Sequence, residues 1–172
     1  MEGLENSAYL TLYISSNLIS LLILWAAWKN QRVSRVLFLL VFAWASWTNW
    51  NEALVAPQFY LDYANLTFSN LYKEFINGWF SRHITLAVSF IATCQALIAF
   101  SMLLKGWIFK TASVGAMIFL LAIAPLGIGS AFPCTVIMAI AFGLLLSYKK
   151  VDYLWIAQPG SLHKHRWSFF PK

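Results

Sequence analysis

The sequence predicts an all-α polytopic membrane protein: a bundle of five transmembrane helices with one amphipathic helix at the outer surface. Three observations predict it. The 172 residues are 60% hydrophobic and only 10% charged, which leaves no composition for a separate soluble domain. Five apolar stretches, at about 9–28, 36–56, 84–104, 111–129 and 132–148, each approach the length a bilayer requires. No run of alternating ten-residue strands occurs, and backbone groups in hydrocarbon must pair within their own segment, so the spans are helices.

The first stretch is preceded by Glu2 and Glu5 and followed by Trp25, Trp28 and Lys29. A secretory signal carries its cations before the apolar core, so this reads as an uncleaved helix with its acidic end outside. The second opens after Arg35 and carries Asn49 and Glu52 three apart, on a face shared with Ala45 and Ala56. Between the second and third stretches, Phe68, Leu71, Tyr72, Phe75 and Ile76 recur at helical spacing opposite Asn70, Lys73, Glu74 and Asn77. That pattern predicts an amphipathic helix over 66–76, capped by Thr67 or Ser69, ended by Asn77-Gly78 and lying flat over the bundle mouth.

Helices in lipid associate through small residues. The third stretch offers Ser89, Ala92, Ala96 and Ala99, the fourth Ala112 and Ala116, and the fifth Ala139 and Gly143. Pro125 predicts a kink or opened turn in the fourth, and Pro133 suits the first turn of the fifth. The string Gly127, Gly129, Pro133 lacks the preceding strand of a phosphate loop. The tryptophans Trp28, Trp44, Trp47, Trp50, Trp79 and Trp107 are read as interfacial anchors.

Lys29, Arg32 and Arg35, then Lys105 and Lys110, then Lys149, Lys150, Lys164, Arg166 and Lys172 place ten of the 12 basic residues on alternate, same-side segments. Only Lys73 and Arg82 fall on the other side. With five spans this puts the amino terminus outside and the carboxyl terminus in the cytoplasm, as expected in a bacterial inner membrane. The +6 net charge flanks spans instead of forming a stripe, which excludes a nucleic-acid reading. One domain over 1–150 is expected, with 151–172 as a basic aromatic tail. There Tyr153, Trp155, Trp167, Phe169 and Phe170 suit either membrane lipids or a partner, another membrane subunit or a second copy. Asn65-Leu66-Thr67 is a formal glycosylation sequon, a triplet common by chance.

Cys94 falls near mid-depth and Cys134 near the outer surface, a separation of more than ~10 Å that exceeds disulfide reach. No metal-type spacing exists, and His83 stands alone. The candidate site is polar: Glu52 and Asn49, with Arg82, His83 and Gln95 on the third stretch. Because the second stretch ends where the third begins, Glu52 is expected to reach Arg82 or His83 at the outer mouth. A carboxylate there can bind a cation, shuttle a proton or fix a ligand; the structural alternative is a Glu–Arg pair pinning the loop. Asn49 and Gln95 are read as ties between helices.

From Arg35 to about Tyr148 the chain resembles the DoxX-like group of small four-helix membrane proteins. The resemblance rests on a span opening at Arg35, a polar and aromatic loop helix, the segment FIATCQALIAFSMLLKGW with Gln95, and two tightly joined spans. It implies accessory subunits of membrane oxidoreductase systems, with quinone or thiol chemistry, and assigns no catalytic residue. The expected function is therefore a non-catalytic membrane subunit. The alternative is a redox or proton-linked component whose site is Glu52 with His83. No motif indicates a cofactor, and quinone enters only through the resemblance.

Overall fold

The computed structural model describes residues 7–156, with side chains from Leu10 onward. Among them the fold is all-helical: α1 (Ser7–Lys29), α2 (Gln31–Val55), a 3-10 turn (Pro57–Asp62), α3 (Tyr63–Leu66), α4 (Asn70–Phe75) running into a π turn (Ile76–Phe80), α5 (Ile84–Ser101), α6 (Gly106–Ile123) extended by a 3-10 turn (Ala124–Ser130), and α7 (Cys134–Leu146). Three helical segments, Leu10–Lys29, Ile84–Ser101 and Gly106–Ser130, are long and apolar enough to cross a membrane. The shorter apolar helix Cys134–Leu146 accompanies them.

The long helices form a ring in chain order. α1 packs on α2, α2 on α5, α5 on α6, α6 on α7, and α7 closes back on α1. Only Asn30 separates α1 from α2. Its extended backbone and its side-chain oxygen, which accepts from the amides of Arg32 (3.0 Å) and Val33 (3.3 Å), stop one helix and start the next.

Two apolar cores fill the ring. The larger stacks Phe38 on Phe142 at 3.9 Å and includes Met102, Phe109 and Leu145. The smaller lies under the loop before α5 and joins Ala53, Tyr60, Ile76, Phe80 and Val88. Of the small residues expected at contacts, Ala92, Ala99, Ala116 and Ala139 are buried. Ala96 is exposed, because the buried stripe of α5 runs through Val88, Ala92, Gln95 and Ala99.

Pro125 ends α6 as an opened turn. The carbonyls around it take side-chain donors from the loop: the Thr67 hydroxyl donates to Pro125 at 2.6 Å and the Tyr72 hydroxyl to Ala122. Gly127 has φ +64°, and a Cβ there would meet the Leu66 carbonyl at 2.8 Å, so the loop's close approach requires glycine.

The loop helix departs from the sequence expectation in extent and in facing. It starts at Asn70 and continues through Asn77-Gly78 to Phe80, because burial of Ile76 and Phe80 in the smaller core outweighs the helix-ending tendency of that pair. Neither expected cap bonds an amide within the helix: Ser69 makes no side-chain cap bond, and the Thr67 hydroxyl donates to Pro125 and accepts from the Ser69 amide, one residue before the helix. Leu71 and Phe75 are exposed, and Phe68, also exposed, lies edge-on to Phe132 at 6.0 Å beside Gly127.

Candidate functional site

The polar residues expected to form one cluster separate into two. The first is the α2–α5 seam. The Ser46 hydroxyl donates to Ala92 O at 2.7 Å and the Thr85 hydroxyl to Ala53 O at 3.2 Å. Between them Asn49 Nδ2 donates to Gln95 Oε1 at 2.8 Å, and the Tyr60 hydroxyl donates to Asn49 Oδ1 at 2.8 Å. Pro57 starts the 3-10 turn that folds Tyr60 back onto α2, eleven residues beyond its acceptor.

Glu52 belongs to this seam. Its carboxylate acts on the Tyr60 phenol, which is held above its ordinary range by burial first, then by the charge of Glu52. The expected coupling of Glu52 to Arg82 or His83 is not made: no ion pair joins them among the described residues. Instead the 3-10 turn brings the Tyr60 hydroxyl back onto α2 at Asn49, within the field of Glu52.

Arg82 and His83 form the second cluster, on an open cleft of about 310 Å³ whose lining includes Pro57, Gln58 and Thr85. The His83 ring stacks on Trp79 at 4.7 Å, with Nδ1 2.9 Å from the Trp79 carbonyl oxygen. Stacking and a backbone partner fix the ring at the cleft.

The opposite end of the ring holds what the sequence reading missed. Arg35, only 2% exposed, donates from Nε (2.9 Å) and Nη2 (2.5 Å) to Met102 O, from Nη2 to Leu104 O (2.5 Å) and from Nη1 to Asp152 O (2.7 Å). Its plane lies over Phe109, 4.7 Å from the ring centroid. One guanidinium thus serves carbonyls at the end of α5 that have no helical partner, and binds the segment after α7 to the same point. Read from the sequence, Arg35 was only a span boundary.

Residues 151–156, the described part of the segment after α7, dock on the bundle. Val151 is buried, Val151 O accepts from Gly106 N at 3.3 Å, and Leu154 N donates to Leu103 O at 3.0 Å. Tyr153 stacks on Trp155 at 4.6 Å and lies under the Lys105 ammonium at 4.8 Å, while Arg32 donates to Ile156 O. The Gly106 amide and the Leu103 carbonyl, both at the α5–α6 turn, provide the backbone partners of this docking. Trp167, Phe169 and Phe170 lie outside the described residues.

The arrangement at the seam orders hydrogen-bonding groups in a row from the loop after α2 into α5. Among the described residues no group of three or more His, Cys, Asp or Glu is placed to hold a metal ion, and both Cys94 and Cys134 are free thiols. Comparisons with protein-family models, with curated proteins and with solved structures return no match for this chain.

Proposed function

We propose that this chain is a five-span integral membrane subunit, a non-catalytic component of a larger membrane assembly, with its amino terminus outside and its basic end in the cytoplasm of a bacterial inner membrane. The observation that carries the reading is the outward face of α2. Trp44 and Trp47 are 63% and 68% exposed, with Asn51 exposed on the same face. Trp44 stands about 20 Å along a helix of about 37 Å, at its middle. Indole rings favour the headgroup level, so two outward tryptophans near mid-depth, followed by an outward amide, suit a protein neighbour better than acyl chains. That neighbour is another membrane subunit or a second copy of this chain.

Orientation is supported by charge. Among the described residues Lys29, Arg32, Arg35, Lys105, Lys110, Lys149 and Lys150 gather at one end with Asp152, whereas Lys73 and Arg82 accompany Glu52, Asp62 and Glu74 at the other. The ends therefore carry +6 (seven minus one) and −1 (two minus three). Reporters fused at each terminus test the topology: the carboxyl-terminal fusion reports cytoplasm and the amino-terminal one the outside. Both on one side would remove the five-span count. Gentle purification of wild type beside a Trp44→Leu/Trp47→Leu variant tests the subunit reading. Loss of companions, or of the higher apparent size, is expected in the variant, and identical companions and size would refute it.

A second reading is favoured by the Glu52–Tyr60 contact: a proton-linked or quinone-related component of DoxX-like type, using the row Glu52, Tyr60, Asn49 and Gln95 beside the Arg82 and His83 cleft. Quinone-dependent respiration in membranes carrying Glu52→Gln, compared with Glu74→Gln, separates the two. A loss confined to Glu52→Gln would favour the second.

A further inference from the structure

At the basic end of the ring a cleft of about 390 Å³ lies between the start of α6 and the residues after α7, lined by Gly106, Trp107, Lys110, Lys149, Lys150 and Asp152. We propose that this cleft binds the phosphate of an anionic phospholipid headgroup. The proposal rests on the cytoplasmic placement above for its physiological leaflet, but its chemistry does not depend on that placement.

Three lysines from two separate chain segments line one concavity, and all three are exposed. Among the described residues that line it Asp152 is the only carboxylate, against three lysines, and Arg35 holds its backbone carbonyl at 2.7 Å. The cleft therefore keeps a net positive charge. Its floor is open: Gly106 has φ +63°, and nothing lies within 4 Å of the position a Cβ would occupy. The positive end of the 18-residue helix α6 adds to the same field, since Lys105 gives its first turn no side-chain cap.

The lipid source follows from the rim. Trp107 is 79% exposed and Ile108 is exposed beside it, on the first turn of a helix long and apolar enough to cross a membrane. An outward tryptophan at a helix end marks headgroup depth, so the cleft opens where lipid phosphates lie. A basic pocket between helix ends at that depth is the arrangement that holds an anionic headgroup. Docking of 151–154 on the α5–α6 turn fixes the two lysine-bearing segments relative to each other before any ligand arrives.

Full-length protein in detergent, titrated with phosphatidylglycerol and with phosphatidylcholine and read by native mass spectrometry, tests the site. Detergent has no sides, so a failure here is distinct from a failure of the orientation. Wild type is expected to retain phosphatidylglycerol preferentially. The variant Lys110→Gln/Lys149→Gln/Lys150→Gln should lose about 100-fold in affinity, roughly fivefold per lysine. Lys29→Gln/Lys105→Gln lowers the charge of the same end outside the cleft and should lose less than about tenfold. Equal losses in the two variants, or none in the triple variant, would overturn the proposal. Inorganic phosphate separates the sources: if it binds wild type and not the triple variant, while phosphatidylglycerol binds no better than phosphatidylcholine, the lipid assignment falls in favour of a soluble phosphate.

Discussion

Replacing Arg35 by methionine keeps the stem and its packing on Phe109 but removes the guanidinium. Four hydrogen bonds to the carbonyls of Met102, Leu104 and Asp152 are lost together. A hydrogen bond to a charged donor contributes about 1.5–3 kcal/mol, and methionine recovers part of this because no cation is left to desolvate. Three carbonyls nevertheless remain at a buried point with no replacement donor, so a net loss of about 3 kcal/mol is expected. At roughly 2–4 °C per kcal/mol for a chain of this size, the melting midpoint in detergent should fall by about 10 °C. Arg35→Lys should lose about half as much, because one ammonium cannot fork between carbonyls of separate segments. Val36→Met, on the exposed face of the same helix, should change stability by less than about 0.5 kcal/mol. Hydrogen exchange adds a local readout, since the amide of Leu154 should lose protection first. Arg35→Met and Val36→Met melting together would refute the view that one side chain closes this end of the ring.

The seam yields further expectations. The Tyr60 phenol stays protonated above pH 10.0, its ordinary value, so the folded state holds a proton there that the unfolded chain has released. Its contribution is fully present below pH 10 and declines as pH rises beyond it. An alkaline melting series should therefore fall less steeply in Tyr60→Phe, and parallel curves would count against the buried contact with Glu52. Asn49→Leu and Gln95→Leu each strand one buried amide, so the double variant should be less destabilised than the sum by about 0.6 kcal/mol. Strict additivity in thermal melts would mean that Asn49 and Gln95 do not pair. In α6, Gly115→Ala should stabilise by about 0.5–1 kcal/mol, as its Cβ meets nothing within 4 Å in a helix interior. Gly127→Ala should destabilise by at least about 1 kcal/mol through φ +64° and the Leu66 carbonyl. Similar effects at the two glycines, measured by thermal melts, would remove the argument for a close loop approach.

Hydropathy along the chain determined that this is an all-helical protein with helices long and apolar enough to cross a membrane, and about where they lie, because burial in a bilayer is a property of each segment by itself. Pro125 was likewise readable as an interruption, since it acts on its own backbone neighbours. Asn49 and Gln95 could be named as polar groups in apolar stretches for the same reason. Their partners could not. Whether Glu52 meets Arg82, His83 or Tyr60 depends on a 3-10 turn whose direction no periodicity records. Whether Arg35 is a topogenic cation or a buried clasp depends on how closely α5 and the residues after α7 approach it. The loop helix passes Asn77-Gly78 because a core assembled from distant segments holds Ile76 and Phe80. In each case tertiary structure decided what the sequence left open, because several polar partners of similar strength compete and only three-dimensional distance selects among them.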